Sequence, residues 1–165
     1  MIIILMGVAG SGKTTVGQCL ANVLRWCFVE GDDLHPDSNV VKMSQGIPLT
    51  DRDRLPWLQD LRELMVELQG KDTSAIVTCS ALKQSYREVL RPQSNESIQF
   101  VYLKCDAAAL HDRLKQRSGH FMKADMLTSQ LAILEEPEDA IVIEVGKAQT
   151  PEQIAADIVA SLSLI

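Results

Sequence analysis

The chain has 165 residues, 46% of them hydrophobic and 23% charged, with a formal net charge of −6. Those values suit one compact core and exclude a disordered chain. The acidic balance excludes a broad basic face for phosphate backbones, and no apolar run nears the roughly 18 residues of a membrane span, so neither nucleic acid nor membrane is expected as a partner.

Ile2–Met6 is a short apolar run with no basic residues before it and no small-residue cleavage site after it, and it reads as a strand. A helical pattern follows, carried by Val16, Leu20, Val23 and Leu24. Further strands are expected at Cys27–Glu30, Ala75–Cys79, Ile98–Cys105 and Ala140–Val145. The first, third and fifth strands are nearly continuous apolar runs, as for strands covered on both faces. Leu55, Leu58, Leu61, Met65 and Leu68 recur at three- and four-residue spacing and predict a helix that stops near Gly70. Arg91-Pro92 stops another helix. Thr150-Pro151-Glu152-Gln153 combines an N-cap, a first-turn proline and a capping-box glutamine ahead of the stripe Ile154, Ile158 and Leu162. Strands separated by helices predict an α/β fold, a five-stranded parallel sheet with helices on both faces, built as one domain over residues 1–165.

The four cysteines, Cys19, Cys27, Cys79 and Cys105, show no C-x-x-C spacing and read as buried reduced thiols of a cytosolic chain. His35, His111 and His120 lie far from any paired Cys or His, which argues against a structural metal site.

Gly7-Val8-Ala9-Gly10-Ser11-Gly12-Lys13-Thr14 fits G-x-x-x-x-G-K-[ST] at every fixed position, with a strand running in and a helix running out. Glycines let successive backbone N–H groups turn toward phosphate oxygens, and the helix that follows adds its positive end. Lys13 is placed to reach the β- and γ-phosphates and Thr14 to ligate Mg²⁺, with Thr15 beside it in the first helical turn. The segment is a P-loop, so the sandwich of helices around the sheet is expected to bind ATP with Mg²⁺. No N-K-x-D segment and no D-x-x-G after a strand are present, which disfavours a GTPase switch, and the length disfavours a motor or transporter ATPase. A small kinase with an acceptor site and a closing lid remains.

The second strand runs into Glu30-Gly31-Asp32-Asp33-Leu34-His35-Pro36, at the strand end where ligands of parallel sheets sit. A carboxylate there can accept the proton of an acceptor hydroxyl or hold Mg²⁺ through water. The third strand ends in Thr78, Cys79 and Ser80, with no carboxylate for the metal. Either Ser80 or a water completes the shell, or Glu30 and Asp32 supply the charge. Arg113 and Arg117, four apart after the fourth strand, precede Gly119-His120-Phe121. A lid at about 117–126 would close Arg117 onto the transferring phosphate and Arg113 onto the adenine and phosphate side, excluding water. The alternative for both is a solvated helix face.

Gly31-Asp32, Leu34-His35-Pro36, Asn39 with Lys42-Met43, Gly46-x-Pro48-Leu49, Asp51-x-Asp53-Arg54-x-Pro56-Trp57-Leu58, Cys79-Ser80-Ala81-Leu82-Lys83 with Tyr86-Arg87, and Leu134-Glu135 with Pro137 join the P-loop in one pattern. Together they resemble the gluconokinase family, within the shikimate-kinase-like group. The resemblance implies phosphorylation of D-gluconate at its 6-hydroxyl by ATP, a cytoplasmic setting and a homodimer. It makes Asp32 the base that orients the acceptor hydroxyl, and it makes Arg54 a clamp on the sugar acid. Lys83 and Arg87, which share a helix face, would meet substrate carboxylate and phosphate. Their alternative is an ordinary surface pairing with Glu88. His35 would bond sugar-acid hydroxyls or cap a helix. Glu30 stands where related sequences often carry Asp, keeping a metal-side carboxylate on a longer stem. Packing is the favoured role for Trp57. Another small-metabolite kinase, for shikimate or a nucleoside monophosphate, and a non-catalytic ATP-binding module are the rival readings.

Overall fold

The computed structural model describes residues 1–92, 97–106, 110, 121–146 and 148–163. Five strands, β1 (Ile2–Met6), β2 (Cys27–Glu30), β3 (Ala75–Thr78), β4 (Ile98–Cys105) and β5 (Ile141–Val145), form one sheet in the order β2-β3-β1-β4-β5. Every neighbouring pair is parallel, and Ile4 at the centre of β1 pairs with Val77 on one side and Phe100 on the other. The described helices are α1 (Lys13–Leu24), α2 (Asp37–Ser44), α3 (Asp51–Gly70), α4 (Gln84–Leu90), α5 (Phe121–Ile133) and α6 (Pro151–Leu162).

Strand side chains alternate between faces, so a central strand must be apolar on both. Ile2, Ile4 and Met6 pack with Trp57, Leu58 and Leu61 of α3 and with Tyr86 and Leu90 of α4. Ile3 and Leu5 pack on the opposite face with Val16 and Leu20 of α1 and Ile154 and Ile158 of α6. β5 departs from the expectation of two covered faces. It is an edge strand, with Ile143 and Val145 buried toward α6 and Val142 46% exposed. An apolar run does not say which strand ends a sheet.

Two helical stripes are rotated from their expected positions. In α1 the buried residues are Val16, Gly17, Leu20 and Ala21, leaving Val23 exposed. In α3 the buried stripe is Arg54, Trp57, Leu58, Leu61 and Met65, leaving Leu55 exposed. The start of α3 is set by a capping box, in which Thr50 Oγ1 accepts from the Asp53 N–H and Asp53 accepts from the Thr50 N–H. Among the cysteines, Cys79 is buried but Cys27 is exposed.

Candidate active site

The P-loop leaves the C-terminal end of β1, the central strand, and hands the chain to α1. Gly7, Gly10 and Gly12 hold φ values of +147°, +82° and +96°, a region that side-chain-bearing residues rarely occupy. At Gly7 a Cβ would lie 2.9 Å from Ser11 Oγ and 3.0 Å from the Leu103 carbonyl oxygen, so the turn requires glycine. Lys13 Nζ donates to the carbonyls of Gly7 (3.0 Å) and Val8 (3.1 Å). Burial lowers its pKa and Asp32 opposes that shift. Ser11 is buried and its hydroxyl has no partner among the described residues, a free donor inside the loop. Thr14 and Thr15 are exposed in the first turn of α1. These features fit the polyphosphate of a nucleoside triphosphate.

Facing the loop is a cavity of about 270 Å³ lined by Lys13, Asp32, His35, Arg54 and Ser80, by Met43 and the 46–49 turn, and by Met126, Ser129, Gln130 and Ile133 of α5. Asp32 sits in a 3₁₀ turn, Gly31–Leu34, directly after β2. Lost hydration in the cleft pushes its carboxyl pKa up, Glu30 and Asp33 add to this, and Lys13 and Arg54 oppose it. With 68% of its side chain still accessible, water screens much of that balance.

A second layer fixes the turn. The Trp57 indole N–H donates to the Gly31 carbonyl at 2.7 Å, and the ring stacks on His35 at a centroid distance of 4.0 Å. Asn39 Nδ2 donates to the Asp53 carbonyl at 2.9 Å and lies 3.2 Å from His35 Nδ1. An amide donor at Nδ1 assigns the imidazole proton to Nε2, which lies 4.0 Å from Asp32 Oδ1. Burial, reinforced by Arg54, lowers the His35 pKa to about 4, so the ring is neutral near pH 7. Trp57, expected as packing, therefore also holds the backbone beside Asp32.

Arg54 is 7% exposed, with its Nε unpartnered among the described residues and its guanidinium 5.8 Å from the Tyr86 ring centroid. A buried guanidinium with an unused donor, opening on the cavity, fits an anionic or hydroxylated ligand.

Lys83 and Arg87 are placed differently from the expectation of two cations facing substrate. Lys83 is the N-cap of α4, and its ammonium pairs with Asp51 at 2.8 Å. Arg87 is buried, and its Nη1 donates to the carbonyls of Ala81 (3.1 Å), Leu82 (3.4 Å) and Glu135 (3.0 Å). Neither lines the cavity. Ala81 has φ +43°, and Arg87 draws in the carbonyls of this unusual turn. Glu135 completes it by accepting from the Gln84 N–H at 2.6 Å, at the start of α4.

On the metal side, Glu30 Oε1 accepts from the Thr78 hydroxyl, and Glu30 Oε2 is buried without a partner among the described residues. The longer stem of Glu30 thus carries a carboxylate across to the end of β3, where the sequence has none. Among the described residues no three His, Cys, Asp or Glu side chains are grouped so as to hold a metal ion by themselves. Thr14, Glu30 and Asp32 oxygens fit a cation that keeps waters and phosphate oxygens in its shell, as Mg²⁺ does.

Arg113 and Arg117 lie outside the described residues, as do residues 117–120 of the segment assigned to the lid; from Phe121 onward the backbone is helical, as α5. Ser129, Gln130 and Ile133 line the cavity from α5, beyond the lid expected at about 117–126. The signal available was the i, i+3, i+4, i+7 spacing of Met126, Ser129, Gln130 and Ile133.

A P-loop at the end of the central parallel strand, faced across a cleft by an aspartate and a buried arginine, defines a P-loop small-molecule kinase. A family model described as "Shikimate kinase" matches residues 9–163. The chain is 48% identical to a gluconokinase of Gluconobacter oxydans over 158 residues, covering 95% of this chain and 88% of that protein. It is 43% identical to the thermoresistant gluconokinase of Escherichia coli, covering 88% and 85%. A crystal structure of a gluconokinase from Sinorhizobium meliloti superposes with a TM-score of 0.84 at 40% identity, covering 98% and 91%. The chain belongs to the gluconokinase family, within the wider shikimate kinase group.

Proposed function

We propose that the protein transfers the γ-phosphoryl group of ATP to the 6-hydroxyl of D-gluconate, giving 6-phospho-D-gluconate and ADP. The observation that carries this reading is that Lys13, Asp32 and Arg54, from three separate segments, line one cleft. Arg54 takes the carboxylate of the sugar acid with its buried guanidinium. Asp32 orients the 6-hydroxyl and receives its proton as the oxygen bonds to the γ-phosphorus and the bond to the ADP oxygen breaks. Lys13 and the P-loop amides hold the phosphates through the transfer, so catalysis is mainly positioning and charge stabilisation.

Mg²⁺, held through Thr14 and Glu30, would neutralise phosphate charge. Arg117, with Arg113 on the nucleotide side, completes the proposal as the closing cations of a lid at 117–126. The setting proposed is cytoplasmic and the assembly a homodimer; among the described residues no helix is long and apolar enough to cross a membrane.

The deciding experiment measures ADP release with ATP and Mg²⁺ in the presence of D-gluconate, shikimate or AMP. Stimulation by gluconate alone, absent in Lys13→Ala, is the expected result. Stimulation by shikimate or AMP instead, or by none, overturns the substrate assignment.

A further inference from the structure

Helix α5 turns Met126, Ser129, Gln130 and Ile133 toward the acceptor cleft. Gln130 also reaches the P-loop. Its side-chain carbonyl accepts the backbone N–H of Ala9, in the P-loop, at 2.7 Å. The N–H groups of such a loop are its means of gripping phosphate, so one of them is held by a side chain that also borders the acceptor. With the carbonyl oxygen engaged by Ala9, the Nε2 amide is the remaining polar group of Gln130, and it has two protons to donate. The α5 wall is otherwise largely apolar through Met126 and Ile133, a poor match for a ligand rich in hydroxyls.

We propose that Gln130 is a positioning residue that couples the two substrates: its Nε2 donates to a hydroxyl of the polyol acceptor while its Oε1 sets the Ala9 N–H and hence the P-loop. This rests on the gluconokinase reading of the cleft. Acceptor binding orders the Gln130 side chain, which orders the loop, so each substrate tightens the other by the same factor. A planar amide serves both sides at once because its donor and acceptor are fixed relative to each other.

The test titrates a non-hydrolysable ATP analogue with Mg²⁺ into wild type and Gln130→Met by calorimetry, with and without saturating D-gluconate, and measures gluconate-stimulated ADP release in parallel. Methionine keeps the length and packing without either polar group. The wild type is expected to bind the analogue at least about 5-fold more tightly with gluconate present, the lower end of ordinary coupling. Gln130→Met is expected to bring that ratio within about 2-fold of unity and to raise the KM for gluconate. Gln130→Glu, which keeps an acceptor for Ala9 and loses the donor, is expected to lose the coupling as well, and it carries the test if the methionine variant fails to fold. An unchanged ratio in the variants, or no coupling in the wild type, overturns the proposal while turnover still stands. Absence of gluconate-stimulated ADP release in the wild type overturns the gluconokinase reading and this proposal together.

Discussion

The carboxylate of Glu30, at the end of β2, accepts a hydrogen bond from the hydroxyl of Thr78, at the end of β3, and the Gly31 N–H donates to the same hydroxyl at 3.1 Å. The two strand ends are thereby locked where the P-loop of the next strand in the sheet faces them. The approach is so close that a Cβ at Gly31 would lie 2.0 Å from the Thr78 carbonyl oxygen. Thr78→Val keeps the shape and removes the hydroxyl, leaving the Glu30 carboxylate and the Gly31 N–H without it. Unfolding in urea should show a loss of about 1–3 kcal/mol, the range for stranded buried polar groups. The Mg²⁺ concentration for half-maximal activity should rise in Glu30→Gln. A Mg²⁺ response identical to wild type in Glu30→Gln would remove Glu30 from the metal side.

Asp32→Asn should reduce kcat by about 10²–10⁴-fold, the usual contribution of a positioned base, with unchanged nucleotide affinity and melting temperature. Lost hydration in the cleft raises the Asp32 pKa, so the acid limb of the wild-type kcat/KM profile should lie higher than for an unperturbed aspartate. Turnover within about 3-fold of wild type in the asparagine variant would take the proton-accepting role away from Asp32.

Arg54→Ala should raise the KM for gluconate by about 10–100-fold and that for ATP much less, since a charge-assisted bond contributes about 1.5–3 kcal/mol. Steady-state kinetics in both substrates check this. Equal rises in the two KM values would argue for a structural role beside Tyr86.

Arg87→Ala should behave in the opposite way. The guanidinium serves the carbonyls of Ala81, Leu82 and Glu135, so its removal strands buried acceptors and should cost about 2–4 kcal/mol of stability. At temperatures where the variant stays folded, the KM for gluconate should hardly move. A selective KM rise without a loss of melting temperature would return Arg87 to the substrate.

His35 makes stability depend on pH. Its pKa falls from 6.5 to about 4 on folding, so between those values the unfolded chain binds more protons. This contribution is complete above about pH 6.5 and is lost as pH falls toward about 4. Comparing urea unfolding at about pH 7.5 and about pH 5, wild type should lose about 2 kcal/mol more than His35→Gln. Equal losses in the two proteins would mean that the ring is protonated in the folded state.

The order of elements, the P-loop and the carboxylate-bearing turn after β2 are all legible in the chain, because each rests on local chemistry. Glycines permit the φ values the loop needs, and apolar period separates strands from helices. Asp32 is legible for the same reason, being tied to a strand end. What residue patterns leave open is which face of an element turns inward and what a long side chain finds there. Leu55 yields its inward place to Arg54 and Trp57 because α3 must close both a core and a cleft. Arg87 looks like a substrate cation until the fold brings three carbonyls to it. Gln130 lies 121 residues from Ala9, and no local signal joins them. The sequence alone determined the fold and the chemistry of the loop, since both follow from spacing along the chain. Only the tertiary structure decided which charges line the cleft and which are consumed by the protein, since burial and hydrogen bonding depend on partners that only packing brings together.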